Sequence, residues 1–199
     1  MSADLPSHRC AYRVVTHDSW RGGGRPVAVF CGDERLDIAD IERAWISTGV
    51  DNYGTISADV PGRVLALSNA AKTNRHLMRA TNNGILRIEG GAITQAPDAT
   101  ILADGGIVQL ADGSDVTGGI FDTANGGFVE AYNSAFISGI TNLGAMTLPE
   151  GSRTYWRAGQ SVNDGTITIN PTAGSVDAIL YGHTGTLDLS GSGEIVLRT

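Results

Sequence analysis

Short runs of alternating apolar and polar residues recur along this chain, and each run begins just after a glycine. The second and fourth residues after that glycine are apolar in all seven runs, whereas the residues between them are mixed. Alternation with period two places the two apolar residues on one face of a β-strand. The seven pairs are Ile56 and Ala58, Leu86 and Ile88, Val108 and Leu110, Val129 and Ala131, Met146 and Leu148, Ile167 and Ile169, and Leu187 and Leu189. The pattern therefore predicts strands whose apolar pairs point into a common core.

The glycines that open these runs are spaced almost regularly. They are Gly54, Gly84, Gly106, Gly127, Gly144, Gly165 and Gly185, at intervals of 30, 22, 21, 17, 21 and 20 residues. The long first interval is divided by His76, which lies 22 residues after Gly54 in a segment of the same form. A recurrence near 20 residues indicates that the chain coils back on itself once per repeat.

A coil of this length has too small a core to fold alone, so successive coils must stack on one another. Glycine suits the tight corners that such coils need, and it accounts for 27 of the 199 residues. The chain is therefore predicted to be all-β: a single-stranded right-handed parallel β-helix, or solenoid. Its coils should contain about 20–22 residues, and each coil should hold more than one strand.

An Asn or a similar polar residue stands two positions before each of these glycines. The seven residues are Asn52, Asn82, Asp104, Asn125, Asn142, Asn163 and His183. An Asn side chain has both a donor and an acceptor, and it tolerates the left-handed backbone of tight corners. Stacked at equivalent corners, such side chains can bond to each other and to the turn backbone. The recurrence predicts a structural ladder of these residues; the alternative is ordinary Asn-x-Gly turn chemistry in unrelated hairpins.

Several segments resemble the β-helical repeats of large bacterial surface and secreted proteins. They are residues 73–94, 139–144, 163–169 and 186–197, in which Asn-x-Gly or a Gly-rich corner opens an alternating run. Such repeats occur in autotransporter passenger regions and filamentous-haemagglutinin-type adhesins. The resemblance covers roughly residues 50–199, and it implies a long exported rod used for adhesion or display. It supplies no shared catalytic residues.

Residues 1–50 differ in composition and are predicted to be an irregular N-terminal capping segment, with the repeats occupying residues 51–199. Five apolar residues could form one face of a short helix that begins near Asp37: Leu36, Ile38, Ile41, Ala44 and Trp45. Alternatively, residues 14–15 and 27–29 could be strands of an irregular first coil. Cys10 and Cys31 are 21 residues apart, about one coil, so a disulfide and two buried thiols both fit.

The two ends of the chain suggest where the protein acts. The first residues contain no apolar stretch of a secretory signal, and no run reaches the roughly 18 apolar residues of a membrane span. The last segment, residues 194–199, reads as a strand with nothing after it to cover the last coil. We expect a piece of a longer secreted or bacterial surface protein; the alternative is a small protein that associates end to end.

Tyr155, Trp156 and Arg157 are the first candidate binding residues. They lie between predicted strands, where exposed aromatic rings beside an arginine would suit a sugar ring or a protein partner. Tyr132 and Phe136, in the preceding coil, could extend that surface. The alternative is that Trp156 packs beneath its own loop.

Asp112, Asn133 and Glu150 form a second candidate group. Each lies six residues after its repeat glycine, so the three are expected in one column at a corner. Such a column could hold a cation or contact a sugar, or its members could be solvated turn residues.

Charge and motif content narrow the classes of function. The net charge is −7 and the cationic residues are scattered, which disfavours nucleic-acid binding and an anionic membrane surface. We predict no metal site and no cofactor, because zinc-type Cys or His spacing and a phosphate-binding glycine loop are absent from the sequence. No pair of carboxylates recurs at coil spacing, as a β-helical hydrolase or lyase would need.

The sequence therefore predicts a non-catalytic structural or adhesive segment of a surface-exposed or secreted bacterial protein. Its expected partners are a host surface, a polysaccharide or a matrix protein. Two alternatives stay open: a carbohydrate-active β-helix, either hydrolase or lyase, and a spacer rod of a phage or a secreted particle.

Overall fold

The computed structural model describes residues 11–15, 28–31, 43–47, 49–170, 172 and 176–198, with side chains from Trp45 onward. The described chain is all-β and winds into a right-handed parallel β-solenoid, which confirms the predicted fold. The strands are, in chain order, β1 (Ala11–Val15), β2 (Ala28–Cys31), β3 (Arg43–Ile46), β4 (Val50–Asn52), β5 (Thr55–Ala58), β6 (Val64–Ser68), β7 (Lys72–Asn74), β8 (Leu77–Thr81), β9 (Ile85–Glu89), β10 (Ala92–Gln95), β11 (Thr100–Asp104), β12 (Ile107–Ala111), β13 (Ser114–Thr117), β14 (Ile120–Ala124), β15 (Phe128–Tyr132), β16 (Ser134–Ser138), β17 (Thr141–Asn142), β18 (Ala145–Leu148), β19 (Arg153–Asn163), β20 (Thr166–Ile169), β21 (Ile179–Ser190) and β22 (Glu194–Leu197).

Each turn of the solenoid passes through three faces. The first face contains β3, β6, β9, β12, β15, β18, β20 and β22. The second contains β4, β7, β10, β13, β16 and the beginnings of β19 and β21, and the third contains β5, β8, β11, β14, β17 and the ends of β19 and β21. We call the bends that follow the first, second and third faces the first, second and third corners. Because β19 and β21 cross the second corner as strands, the second and third faces join in one hydrogen-bonded sheet.

The N-terminal strands continue this architecture. β1 pairs in parallel with β5 and antiparallel with β2, so strands are present where an irregular first coil was the alternative. β3 pairs in parallel with β6, and a helix through Ala44 and Trp45 is therefore wrong. The rest of the predicted helix and the pairing of Cys10 with Cys31 lie outside the described residues, and the boundary at residue 50 stays a prediction.

The apolar pairs predicted from alternation point inward, as expected. On the first face they form two columns, in which each side chain stacks on its equivalent one turn away: Leu86, Val108, Val129, Met146 and Ile167, and Ile88, Leu110, Ala131, Leu148 and Ile169. Ile56 and Ala58 point inward from the third face, and Leu187 and Leu189 pack against the same core from the last turn. Burial of these columns is the main stabilising contribution to the fold.

The third corner explains why glycine recurs. Here the backbones of successive turns approach so closely that a side chain has no room: a Cβ added to Gly84 would lie 2.4 Å from the carbonyl oxygen of Ala58. At Gly165 the corresponding distance to the carbonyl oxygen of Gly144 is 2.1 Å. The glycines of this corner form one column: Gly84, Gly106, Gly127, Gly144, Gly165 and Gly193. Gly54 and Gly185 instead lie at the second corner, so the 30- and 20-residue intervals connect different corners.

A buried ladder of amide side chains forms at the second corner. The Nδ2 of Asn52 donates to Oδ1 of Asn74 (2.8 Å), and the Nδ2 of Asn74 donates to Oε1 of Gln95 (3.0 Å). The Oδ1 of Asn52 accepts from the backbone N–H of Gly54 (3.2 Å), and that of Asn74 accepts from His76 (3.4 Å). The predicted equivalence of His76 and Gly54 is thereby confirmed.

Four other predicted ladder residues pair at the third corner. The Nδ2 of Asn142 donates to Oδ1 of Asn163 (2.8 Å) in a buried pair. The Nδ2 of Asn125 donates to Oδ1 of Asp104 (2.5 Å) in an exposed pair. The two pairs are distinct, because Asn142 is a buried, inward-pointing residue of β17, whereas Asn125 is exposed at the edge of the corner.

The remaining two members lie elsewhere. Asn82 donates to the carbonyl oxygen of Asp59 (3.2 Å) at the surface, and His183 belongs to the outer side of the second face. The seven residues therefore do not form one ladder. Stacked buried asparagines are present, but they are divided between two corners because both need the same turn chemistry.

Lys72, the only lysine of the chain, occupies an inward position. Its register partners in the neighbouring turns are Val50 and Ile93. The Nζ donates to the carbonyl oxygens of Ser68 (2.9 Å) and Ala70 (2.8 Å), so it stabilises the first corner from inside. Burial lowers the pKa of the Lys72 ammonium, because the charged form loses hydration.

This lowered pKa predicts a pH-dependent stability. Because the folded-state pKa lies below the unfolded value, the contribution of Lys72 to stability is present above the unfolded pKa and lost as pH falls through the folded pKa. The free energy of unfolding of the wild type relative to Lys72→Met should therefore rise from neutral pH to about pH 11. Urea titrations of both proteins across that range measure the difference, and a constant difference would contradict the lowered pKa.

Candidate functional site

The outer side of the second face carries aromatic side chains in three consecutive turns. Tyr155 of β19 is in register with Phe136 of β16 and Tyr181 of β21. Because side chains alternate along each strand, Arg153 and Arg157 also point outward on either side of Tyr155. His183 stands beside Arg157 in the next turn. We call Phe136, Arg153, Tyr155, Arg157, Tyr181 and His183 the aromatic patch.

The three rings of the aromatic patch stack along the solenoid axis. The ring centroids of Phe136 and Tyr155 are 4.8 Å apart with an interplanar angle of 17°. Those of Tyr155 and Tyr181 are 5.1 Å apart with an angle of 8°. His183 contacts the stack from the side, with its ring 5.4 Å from that of Tyr155 and at 70° to it. The strand spacing of a parallel sheet produces this stack, and its rings are held rigidly.

Arg157 connects the stack to the preceding turn. Its Cζ lies 4.6 Å from the ring centroid of Phe136, a cation–π contact, and its Nη1 donates to Oδ2 of Asp115 (2.6 Å). Arg153 is exposed and, within the described part of the chain, has no side-chain hydrogen bond or ion pair. The patch therefore has two guanidinium groups for one carboxylate, although the chain as a whole carries −7.

The first candidate group is only partly brought together here. Tyr155 and Arg157 lie on the outer surface, and Phe136 extends it as predicted. Trp156 does not: it is fully buried, and its Nε1 donates to Oγ of Ser161 (3.0 Å). The prediction that Trp156 is exposed is thus wrong, because side chains alternate along β19 and that of Trp156 points toward the core.

Three further residues with ring side chains differ from the prediction for this surface: Tyr132, Tyr181 and His183. Tyr132 lies on the first face beside Arg87, so it does not extend the patch. Tyr181 and His183 were not identified as binding residues from the sequence. Tyr155 and Tyr181 are 26 residues apart, because this turn is longer than the repeat, and a search at 21 residues misses the match.

The second candidate group lies at the first corner. The Nδ2 of Asn133 donates to Oδ1 of Asp112 (2.8 Å), so these two residues are stacked as predicted. Both have positive φ, 49° at Asp112 and 67° at Asn133, as residues of a tight turn. Glu150 is in the next turn, and its Oε1 accepts from the backbone N–H of Val176 (2.8 Å).

The carboxylates of this corner are engaged by one arginine. The Nη2 of Arg87 contacts Oδ2 of Asp112 (2.5 Å), and its Nε lies 2.8 Å from Oε2 of Glu89. Trp45 lines the same shallow groove. The two carboxylates therefore share a guanidinium between them, an arrangement that stabilises the corner.

A second groove runs along the glycine column of the third corner. Asp164 lies at its rim, and its Oδ1 accepts from the backbone N–H (2.8 Å) and the Oγ (2.9 Å) of Ser192. These bonds hold the pKa of the Asp164 carboxyl below its usual value. Asp164 thus fastens the last turn to the one before it.

Two further observations concern the described residues as a whole. None of them belongs to a helix that could span a bilayer. Within the same part of the chain, no three His, Cys, Asp or Glu side chains cluster as metal ligands would.

Comparison of the chain with protein-family models, curated proteins and solved structures gives no match. Its function is therefore inferred from the side chains that the solenoid presents on its surface.

Proposed function

We propose that this chain is a non-catalytic structural and adhesive β-solenoid segment of a surface-exposed or secreted bacterial protein. The observation that carries the proposal is the regular bonding of outward polar side chains between neighbouring turns. Gln109 Nε2 donates to Oε2 of Glu130 (2.7 Å), and the hydroxyls of Thr117 and Ser138 are 3.1 Å apart. Each pair spans 21 residues, one turn of the solenoid.

Such a surface suits display and contact. The outer side chains are held at strand spacing by their neighbours above and below, so a ligand meets an ordered array and little side-chain entropy is lost on binding. The interior is filled by apolar columns and bonded amides, which makes the turns a stiff spacer. The resemblance of residues 50–199 to adhesin repeats supports the same role.

The arrangement of carboxylates favours this proposal over a hydrolase or lyase. Those enzymes use a pair of carboxyl groups, one of which must be protonated while the other acts as base or nucleophile. Glu89 and Asp112, which meet at the first corner, both contact Arg87. Both carboxylates are thus held by one arginine side chain, an arrangement that suits a structural role at the corner.

An adhesion assay tests the proposed function. Beads coated with the folded chain should be retained several-fold more than beads coated with the heat-unfolded chain on at least one of three surfaces: cultured cells, matrix protein or polysaccharide. Bound beads are counted after washing under flow, and the solution is assayed for new reducing ends.

Two results would contradict the proposal. Equal retention of beads with folded and unfolded chain on all three surfaces would rule out the adhesive function and favour the alternative of a spacer rod. Release of reducing ends or unsaturated sugars from the polysaccharide would favour the carbohydrate-active alternative. Replacement of Glu89 and Asp112 by Gln and Asn should leave retention unchanged.

A further inference from the structure

We propose that the aromatic patch is a binding site for a carboxylated saccharide, such as an oligomer of uronic acids. This assignment rests on the proposed adhesive function and specifies a ligand for it. The patch combines exposed guanidinium groups with tyrosine rings and hydroxyls, on a rigid surface formed by β16, β19 and β21.

Charge is the first argument for an acidic ligand. Arg157 pairs with Asp115, and Arg153 adds a second guanidinium, so these side chains carry a net positive charge on a chain of net charge −7. Asp115 occupies one N–H of Arg157, and a guanidinium has five. Arg153 is exposed and, among the described residues, makes no side-chain bond. Both arginines can therefore donate to a ligand carboxylate, the partner that guanidinium geometry fits best.

The rings provide the second argument. Stacking covers both faces of Tyr155, whereas Tyr181, at the end of the stack, is 38% exposed. A sugar ring has an apolar face that can lie on Tyr181 and hydroxyls that can bond to phenolic oxygens. Tyr181 offers this contact at low entropic cost, since a tyrosine has only two side-chain torsions and its ring is already stacked on Tyr155.

The direction of the patch favours a linear oligomer. Tyr155 and Tyr181 recur at one strand step along the axis, and arginines flank Tyr155 on both sides. A chain of sugar units that runs along the axis can thus meet a tyrosine and a cation in neighbouring turns. Single-stranded nucleic acid fits less well, because it stacks successive bases on a series of free ring faces, and this stack leaves such a face at Tyr181 alone.

Isothermal titration calorimetry with tetragalacturonate and with neutral maltotetraose tests the proposal. The wild type should bind tetragalacturonate at least tenfold more tightly than maltotetraose, and added salt should weaken binding of the acidic ligand. Arg153→Gln should lower the affinity for tetragalacturonate about tenfold, the loss of one charge-assisted bond. Tyr181→Ala should lower the affinity for both saccharides.

The matched control is Arg198→Gln, which removes the same charge from an exposed arginine that follows β22. Its affinity should stay within about twofold of the wild type, since Arg198 follows a strand of the first face and is not one of the side chains of the patch. All three variants change outward side chains, and urea unfolding midpoints equal to that of the wild type verify that they fold.

Three results would overturn the site. They are equal affinity for the two saccharides, an Arg153→Gln affinity equal to that of Arg198→Gln, and tighter binding of single-stranded oligothymidylate at the same residues. Failure of the site is distinguishable from failure of the adhesive function. If beads that carry Arg153→Gln adhere as well as wild-type beads, adhesion stands and the patch assignment fails. If tetragalacturonate binds as expected but beads do not adhere, the patch stands and adhesion fails.

Discussion

Replacement of Asn74 by leucine should lower the free energy of unfolding by about 3–5 kcal/mol. Asn74 is fully buried, and leucine has the same branching and the same number of side-chain heavy atoms, so the change leaves no cavity and removes the hydrogen bonds of the amide. The change would leave Oε1 of Gln95 and one N–H of the Asn52 amide buried without partners. Each such group costs about 1–3 kcal/mol, and the carbonyl oxygen of Thr100 also loses a donor.

Urea unfolding followed by far-ultraviolet circular dichroism measures this effect. The matched control is Thr94→Val, a β-branched replacement at an exposed position of the same face one turn away, which should change stability by less than about 0.5 kcal/mol. If Asn74→Leu lost no more than Thr94→Val, the buried amide ladder would not contribute to the stability of the second corner.

Replacement of Gly165 by alanine should destabilise the fold by about 3 kcal/mol, near the upper end of overpacking effects. The added Cβ would lie 2.1 Å from the carbonyl oxygen of Gly144 and 2.8 Å from its backbone nitrogen. Both are backbone atoms, so no side chain can rotate away, and the two turns would have to separate. Separation would lengthen the parallel ladder bonds between β18 and β20 on one side of the corner.

The control for Gly165→Ala is Gly182→Ala. Gly182 is exposed, and a Cβ built there meets no atom within 4 Å. This variant should keep the wild-type midpoint within the error of a thermal or urea transition. Equal midpoints for the two alanine variants would mean that the turns are not in close backbone contact at the third corner, and the register of the solenoid would be wrong there.

The steric demand at the third corner is also why so much of the fold could be predicted. Only glycine fits where the backbones of successive turns meet, so a glycine recurs in the sequence at nearly every turn from Gly84 to Gly165. The apolar pair that follows each glycine then enters the first face in register. The close backbone contact and the alternation each restrict individual positions in every turn, so a single sequence records both.

The corner to which each polar residue belongs could not be predicted in the same way. Asn52 precedes the second corner and Asn142 the third, yet both are two residues before a glycine. Any tight bend with unpaired backbone groups accepts an Asn, so this residue type indicates a corner without identifying it. Asn74 and Gln95, which continue the buried ladder, have no glycine after them at that spacing.

The candidate site was predicted less well than the fold. Tyr155 and Arg157 were identified, but Trp156 between them is in the core because β19 remains a strand through this stretch. Tyr181 and His183 could not be aligned with them, since their turn is lengthened. A site built across turns depends on the register of each turn, and variation in turn length hides that register in the sequence.

The same variation in turn length has a consequence for how the chain folds. Residues in register in neighbouring turns are 17 residues apart at Val129 and Met146 and 28 apart at Ile167 and Ile195. Loop-closure entropy changes only slowly with loop length. The entropic cost of closing each added turn is therefore nearly the same along the chain. No turn needs a distant segment of the chain to close, because it pairs with its predecessor alone. Once a nucleus of a few turns exists, winding can therefore proceed one turn at a time, in step with the emergence of the chain from a ribosome or a secretion pore.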